Sequence, residues 1–190
     1  MRNNFKKKFI VGKKLYLRPI EYSDINDEYL SWMNNVELSK NIPSMILPNT
    51  KLTLEKYIEK SFLDNNTIFL AIIEIKHNKH IGNVKIFDIN LIDKRAEFGR
   101  FIGNSKFRGK GYGSEVTFLI LNYLFNYLNL RKVYATLSSS NVESVKSNEK
   151  YGMKTEAILK KHRYVNGSYE DKIFMSVFKE NFIKNLSFNK

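Results

Sequence analysis

The chain has 190 residues, 43% of them apolar and 27% charged, which suits one globular domain with a sizeable core and is far from a disordered composition. It has no cysteine, excluding disulfides, thiolate metal sites and cysteine nucleophiles, and no apolar run near the roughly 20 residues of a membrane helix. The formal net charge of +13, with six Lys or Arg and no acid among the first fourteen residues, favours anionic partners but is spread along the chain without an arginine-rich helix.

Leu15, Leu17 and Ile20 alternate and predict a first strand. Ser23 or Asp24 reads as the cap of an amphipathic helix reaching Asn34. Leu54, Tyr57, Ile58 and Phe62 stand at helical spacing in a second helix over 50–63. The β-rich runs 68–75 and 81–87 flank the polar turn Lys76–His80 and predict a hairpin. His77 and His80 fall in that turn, which reads as solvated, and no metal is expected.

A strand over 96–103 is followed by a glycine-rich turn and a long helix over 112–127, with Val116, Leu119, Tyr123, Leu124 and Tyr127 as its buried stripe. Val133, Ala135 and Leu137 predict another strand. Asn141 opens a short helix that stops at Gly152, and strands over 155–165 and 172–178 flank an Asn166-Gly167 turn. Repeats and linkers are lacking, so one domain is expected over 1–190, with a core over 12–178 behind a basic tail, 1–12. The order of elements predicts a mixed α/β fold with helices packed on a sheet.

The turn Arg108-Gly109-Lys110-Gly111-Tyr112-Gly113 is either an ordinary tight turn or an anion cradle. Alternate glycines let the backbone approach a ligand, and the N–H groups at the start of the following helix favour an anion. The spacing matches neither the P-loop nor the dinucleotide fingerprint.

The stretch Ala96-Glu97-Phe98-Gly99-Arg100-Phe101-Ile102-Gly103, continuing through Arg108–Gly113, resembles the core motif of the GNAT acetyltransferases. Asn141-Val142-Glu143-Ser144, ending in Glu149-Lys150-Tyr151-Gly152-Met153, is similar to that family's next motif. Leu17-Arg18-Pro19, Asp24, Trp32 and the closing Arg163–Asp171 resemble its branch of ribosomal-protein N-terminal acetyltransferases. The likeness runs from about Gly12 to Phe178 and implies a twisted, mostly antiparallel sheet of about seven strands with about four helices.

The resemblance also implies an enzyme that moves an acetyl group from acetyl-CoA, as cosubstrate, to a primary amine by direct attack. The matching loop, Arg108, Gly109, Lys110, Gly111, Tyr112, Gly113 and Ser114, would hold the CoA pyrophosphate. Phe101, Ile102 and Gly103 would pair with pantetheine through the main chain, and Asn141 would bond the same arm while capping its helix.

Direct attack needs an acceptor for the amine proton and donors at the thioester carbonyl. Glu97 is the candidate base, or else a paired glutamate that orients the sheet, with Asp88 and Glu21 as weaker substitutes. Where many members place an acidic tyrosine this chain has Asn148; it or Ser147 could bond to the cofactor and donate a hydrogen bond, but neither is an acid. His162 is either an edge of the acceptor pocket or a plain strand residue.

The acceptor is read as a nucleotide-linked amino sugar, a protein N-terminus, a polyamine or an aminoglycoside, with basicity weighing mildly against a polyamine. The expected protein is cytoplasmic, monomeric or homodimeric, free of membrane and without a nucleic-acid partner. Its rivals are a CoA-binding protein that has lost catalysis and a basic nucleic-acid-binding module.

Overall fold

The computed structural model describes residues 7–39, 42, 47–165 and 167–182. Its frame is one sheet of eight strands: β1 (Ile10–Val11), β2 (Leu15–Pro19), β3 (Ile68–Glu74), β4 (Lys79–Asn90), β5 (Arg95–Ile102), β6 (Lys132–Ser138), β7 (Lys154–Val165) and β8 (Ser168–Phe178). The order is β1-β2-β3-β4-β5-β6-β8-β7, and every neighbouring pair is antiparallel except β5 and β6. The helices are α1 (Asp27–Met33), α2 (Val36–Ser39), α3 (Lys51–Leu63), α4 (Tyr112–Asn126) and α5 (Val142–Glu149), with residues 179–182 helical after β8.

Period-two alternation sends the side chains of each strand to two separate cores. Leu15, Leu17, Leu70, Ile72, Ala96 and Phe98 pack with Val116, Ile120, Leu124 and Phe125 of α4. Tyr16, Phe69, Ala71 and Ile73 face the other way and meet Tyr29 and Trp32 of α1 with Leu54 and Ile58 of α3. A parallel pair needs a long crossover, and α4 supplies it between β5 and β6.

Several expectations are corrected. The sheet has eight strands rather than about seven, because Ile10–Val11, placed in the basic tail, pairs with Tyr16–Leu17. The first helix is capped by Asn26, whose side chain accepts from the Tyr29 N–H, and not by Ser23 or Asp24. Asp24 is buried, 5% exposed, against Arg18, 4% exposed, in a two-pronged ion pair with bonds of 2.7 and 2.5 Å. Phe62 and Tyr127 match the helical spacing but lie outside, 49% and 75% exposed.

The hairpin at the end of the chain forms as expected, with Val165 opposite Ser168 and Gly167 at a φ of 84°. Asn166 of that turn, and residues 1–6 of the tail, lie outside the described residues.

Candidate active site

β5 and β6 pair over only three residues, Arg95, Ala96 and Glu97 against Lys132, Val133 and Tyr134, and then part. The outer side of each strand stays held by an antiparallel neighbour, β4 for β5 and β8 for β6. The fork is therefore built into the sheet. Two cavities open from it, of about 270 and 520 Å³, and they share Arg100, Phe101, Asn141 and Ser144.

Glu97, at the fork, lines the smaller cavity. Its Oε1 accepts a 2.7 Å bond from Thr136 Oγ1. Burial pushes its carboxyl above the usual range, and the Thr136 bond and the charge of Lys172 only partly offset that. A carboxylate so placed is a stronger base than one at its ordinary pKa.

Gly99 faces the same side and leaves room, since a Cβ there would meet only Phe87, at 3.9 Å. Lys85 lies opposite Gly99, with Nζ 3.2 Å from the Tyr57 hydroxyl and 4.4 Å from the centre of that ring. Among the described residues no carboxylate forms an ion pair with it.

The larger cavity is lined by Phe101, Ile102, Arg108, Gly109, Gly111, Tyr112, Gly113 and Ser114. Gly111 is the N-cap of α4 at a φ of 83°, a conformation costly for any residue with a Cβ. The first N–H groups of α4 have no carbonyl partner within the helix, and the helix dipole points its positive end at the same place. Lys14 adds a cation there, its Nζ 3.1 Å from the Lys110 carbonyl. Glycines without side chains, free N–H groups and a nearby ammonium suit a pyrophosphate.

Two of the expected cofactor residues, Lys110 and Gly103, line neither cavity. Lys110 presents its carbonyl to Lys14. Gly103 is buried where a Cβ would come within 2.2 Å of Trp32, so it ties α1 to the end of β5. Arg108 does line the larger cavity, but it is folded back, bonding the Ile102 and Gly103 carbonyls at 2.8 and 2.6 Å.

Asn141 caps α5, accepting from the Ser144 N–H at 3.3 Å, and lines both cavities. Asn148 is fully buried, lines neither cavity and accepts a 3.2 Å bond from Arg100. Ser147 lines the larger cavity and also accepts from Arg100, at 2.8 Å.

The substitutes for Glu97 are tied up. Asp88 is paired with Arg95 and Tyr134, and Glu21 accepts from the Ser23 hydroxyl. His162 is exposed on β7 and lines neither cavity. Among the described residues no group of three metal-ligating side chains occurs.

Sequence reasoning missed Lys14, Lys85, Arg100 and Ser144. Ser144 stands inside the Asn141 motif, and Arg100 left a signal too: alternation along Ala96, Phe98 and Arg100 puts a cation on a core-facing row. Lys85 reaches the smaller cavity, and Lys14 the glycine turn beside the larger one, through contacts that join distant parts of the chain.

The description "Acetyltransferase (GNAT) domain" matches residues 14–154. The chain is 27% identical over 172 residues to the SPbeta prophage-derived uncharacterized N-acetyltransferase YokL of Bacillus subtilis, covering 90% of this chain and 93% of that protein. It is 27% identical over 163 residues to the spermidine N(1)-acetyltransferase of Vibrio cholerae, covering 85% and 91%. A crystal structure of spermidine N-acetyltransferase from Vibrio cholerae, in complex with CoA and spermine, superposes with a TM-score of 0.81 at 26% identity, covering 90% of this chain and 99% of that one. A family match that spans most of the chain, on a fold whose relatives share it nearly end to end, means that this protein belongs to the GNAT acetyltransferase family.

Proposed function

We propose that the protein transfers acetyl from acetyl-CoA to the primary amine of a small molecule or peptide whose remaining part is neutral or anionic. The observation that carries this is the meeting of two unlike cavities along Arg100, Phe101, Asn141 and Ser144. The cavity behind the glycine turn suits the CoA phosphates, and the one holding Glu97 suits the amine. CoA supplies the activated acyl group when bound.

An alkylamine, with a pKa near that of lysine, about 10.4, is mostly protonated at neutral pH and cannot attack until it loses that proton. Glu97 takes the proton, directly or through a water. Asn141 and Ser144, at the junction, are placed to orient the acyl group through their amide and hydroxyl donors.

Charge decides between acceptors. Glu97 is the one carboxylate among the described residues lining the smaller cavity, while Lys85 and Arg100 are both cationic. A polyamine would bring further ammonium groups towards those cations, whereas a phosphate or carboxylate would be drawn to them. The similarity to spermidine acetyltransferases favours a polyamine as the second reading.

The test is thiol release from acetyl-CoA over a panel of amines: spermidine, an amino sugar phosphate, an aminoglycoside and short peptides. The highest kcat/KM is expected on the phosphate- or carboxylate-bearing amines, and Lys85→Glu should move preference towards spermidine by about tenfold. Release no faster than spontaneous hydrolysis with every amine would overturn the enzyme reading, and a clear preference for spermidine in the unaltered protein would overturn the acceptor.

The glycine turn is tested separately. Gly111→Val forces a branched residue into left-handed backbone and fills the cavity mouth, so acetyl-CoA should bind at least about tenfold more weakly by calorimetry, about 1.4 kcal/mol. Unchanged affinity in the folded variant would remove the phosphate role from this turn.

A further inference from the structure

Arg100 is a charged side chain to which the acyl transfer itself gives no task so far, beyond the draw it shares with Lys85 on an anionic acceptor. It lies on the core-facing row of β5 and lines both cavities. Its Nε donates to the Gly113 carbonyl at 2.8 Å, and its terminal nitrogens donate to Ser147 Oγ at 2.8 Å and Asn148 Oδ1 at 3.2 Å. These bonds engage three of the five N–H groups of a guanidinium and bind it to neutral acceptors only.

Among the described residues no carboxylate forms an ion pair with Arg100. Burial lowers its pKa to about 10, a cost that Tyr151 nearby only partly offsets, and it stays charged at neutral pH. A half-buried cation without a counter-charge is costly to keep, and the place for an anion lies where the cavities meet.

We propose that Arg100 is a catalytic residue that stabilises the CoA thiolate as it departs, using N–H groups not committed to protein acceptors. This rests on reading the two cavities as CoA and amine sites. In the transfer, the amine nitrogen forms a bond to the thioester carbonyl carbon, the carbon–sulfur bond breaks, and sulfur leaves with the electron pair. The attacking nitrogen is neutral, and the second proton that it sheds as the carbon–nitrogen bond forms goes to Glu97, which has by then passed the first ammonium proton to solvent. Arg100 gives up no proton, and the thiolate takes one from solvent afterwards.

A thiol ionises near pH 8.5 in its ordinary state, so a paired thiolate is a sufficient leaving group. This arrangement accounts for an amide, rather than an acid, at Asn148, where it fixes the guanidinium from behind.

The experiment follows the thiol of bound CoA by the ultraviolet absorbance of its thiolate as pH is raised. Other charges face the larger cavity, Arg108 and Lys146 against Glu37 and Glu143, with Lys85 and Glu97 in the smaller one, so the Arg100 variants are needed to assign any shift. In the unaltered protein the bound thiol should ionise at least about one pH unit below free CoA. Arg100→Gln should abolish that shift and Arg100→Lys keep part of it. At a pH where the thiolate is formed, Arg100→Gln should bind CoA about tenfold more weakly yet bind desulfo-CoA, which lacks the sulfur, as the unaltered protein does.

A bound thiol that titrates like free CoA in the unaltered protein would overturn the proposal without reference to any variant. An unaltered shift in folded Arg100→Gln would overturn it too. Failure of the unaltered protein to bind CoA would bring down the cavity assignment, and the proposal with it.

Discussion

Glu97→Gln should lower kcat by about 10²- to 10⁴-fold while leaving acetyl-CoA affinity within a small factor of the unaltered protein. The base acts on the amine, and the phosphates are held at the opposite cavity, so loss should fall on turnover. The pH profile separates catalysis from architecture. Burial first, offset in part by Thr136 and Lys172, leaves the carboxyl above its usual range. The unaltered enzyme should therefore gain kcat as pH rises through that raised value, because the base must be ionised, and the variant should lack this limb.

Stability gives the opposite sign. A carboxyl raised in the folded state costs nothing below its unfolded pKa and becomes unfavourable as pH climbs through the folded one. Glu97→Gln should then melt at or above the unaltered protein near neutral pH, with the difference closing on the acid side. A variant that melts lower and keeps its turnover would make Glu97 a structural residue of the sheet.

The second large effect is on folding. Asp24→Ala leaves the Arg18 guanidinium buried without its partner, and breaking such a pair costs about 3–5 kcal/mol. For a chain of this size that is roughly 10 °C in Tm. Burial raises the Asp24 carboxyl, but the bonds from Arg18 and from the Glu21 N–H outweigh it, and the net position is below the usual range. Stability from this pair is complete above the unfolded carboxylate pKa and is lost as pH falls through the lowered folded value. Replacing both residues with apolar ones of similar size should recover part of the loss. A thermal melt of Asp24→Ala within about 2 °C of the unaltered protein would show that the pair contributes little.

The same pair shows what a sequence can and cannot reveal. Asp24 has the residue type and spacing of a helix cap, so local chemistry assigned it one, and Asn26 two residues later satisfies the same rule. Its bond to Arg18 runs back across the turn after Pro19, where no local period reports it. The glycine turn and the Asn141 cap were legible because their requirements, left-handed backbone and a capping oxygen, are met within a few residues.

Asn148 was legible as a departure from a pattern, but its partner was not. The bond to Arg100 joins positions 48 residues apart, and only the pairing of strands and helices brings them together. Lys85 illustrates the same limit: a lysine in a strand reads as a solvated face until Gly99, across the ladder, proves to leave a hole.

β7 closes one side of the sheet with twelve residues, nearly all exposed, and among the described residues its outer rim of N–H and C=O groups has no neighbouring strand. Such a rim is a template on which further chains could stack into an open-ended assembly. Two features blunt it. Register shifts between Thr155 and Ala157, and between Leu159 and Arg163, break the flat ladder, and Lys161 turns to a φ of 49° inside the second. Lys154 and Lys161 then set like charges against any second copy that approaches in line. Part of the chain's large positive charge thus guards the border of its own sheet, a duty independent of any substrate.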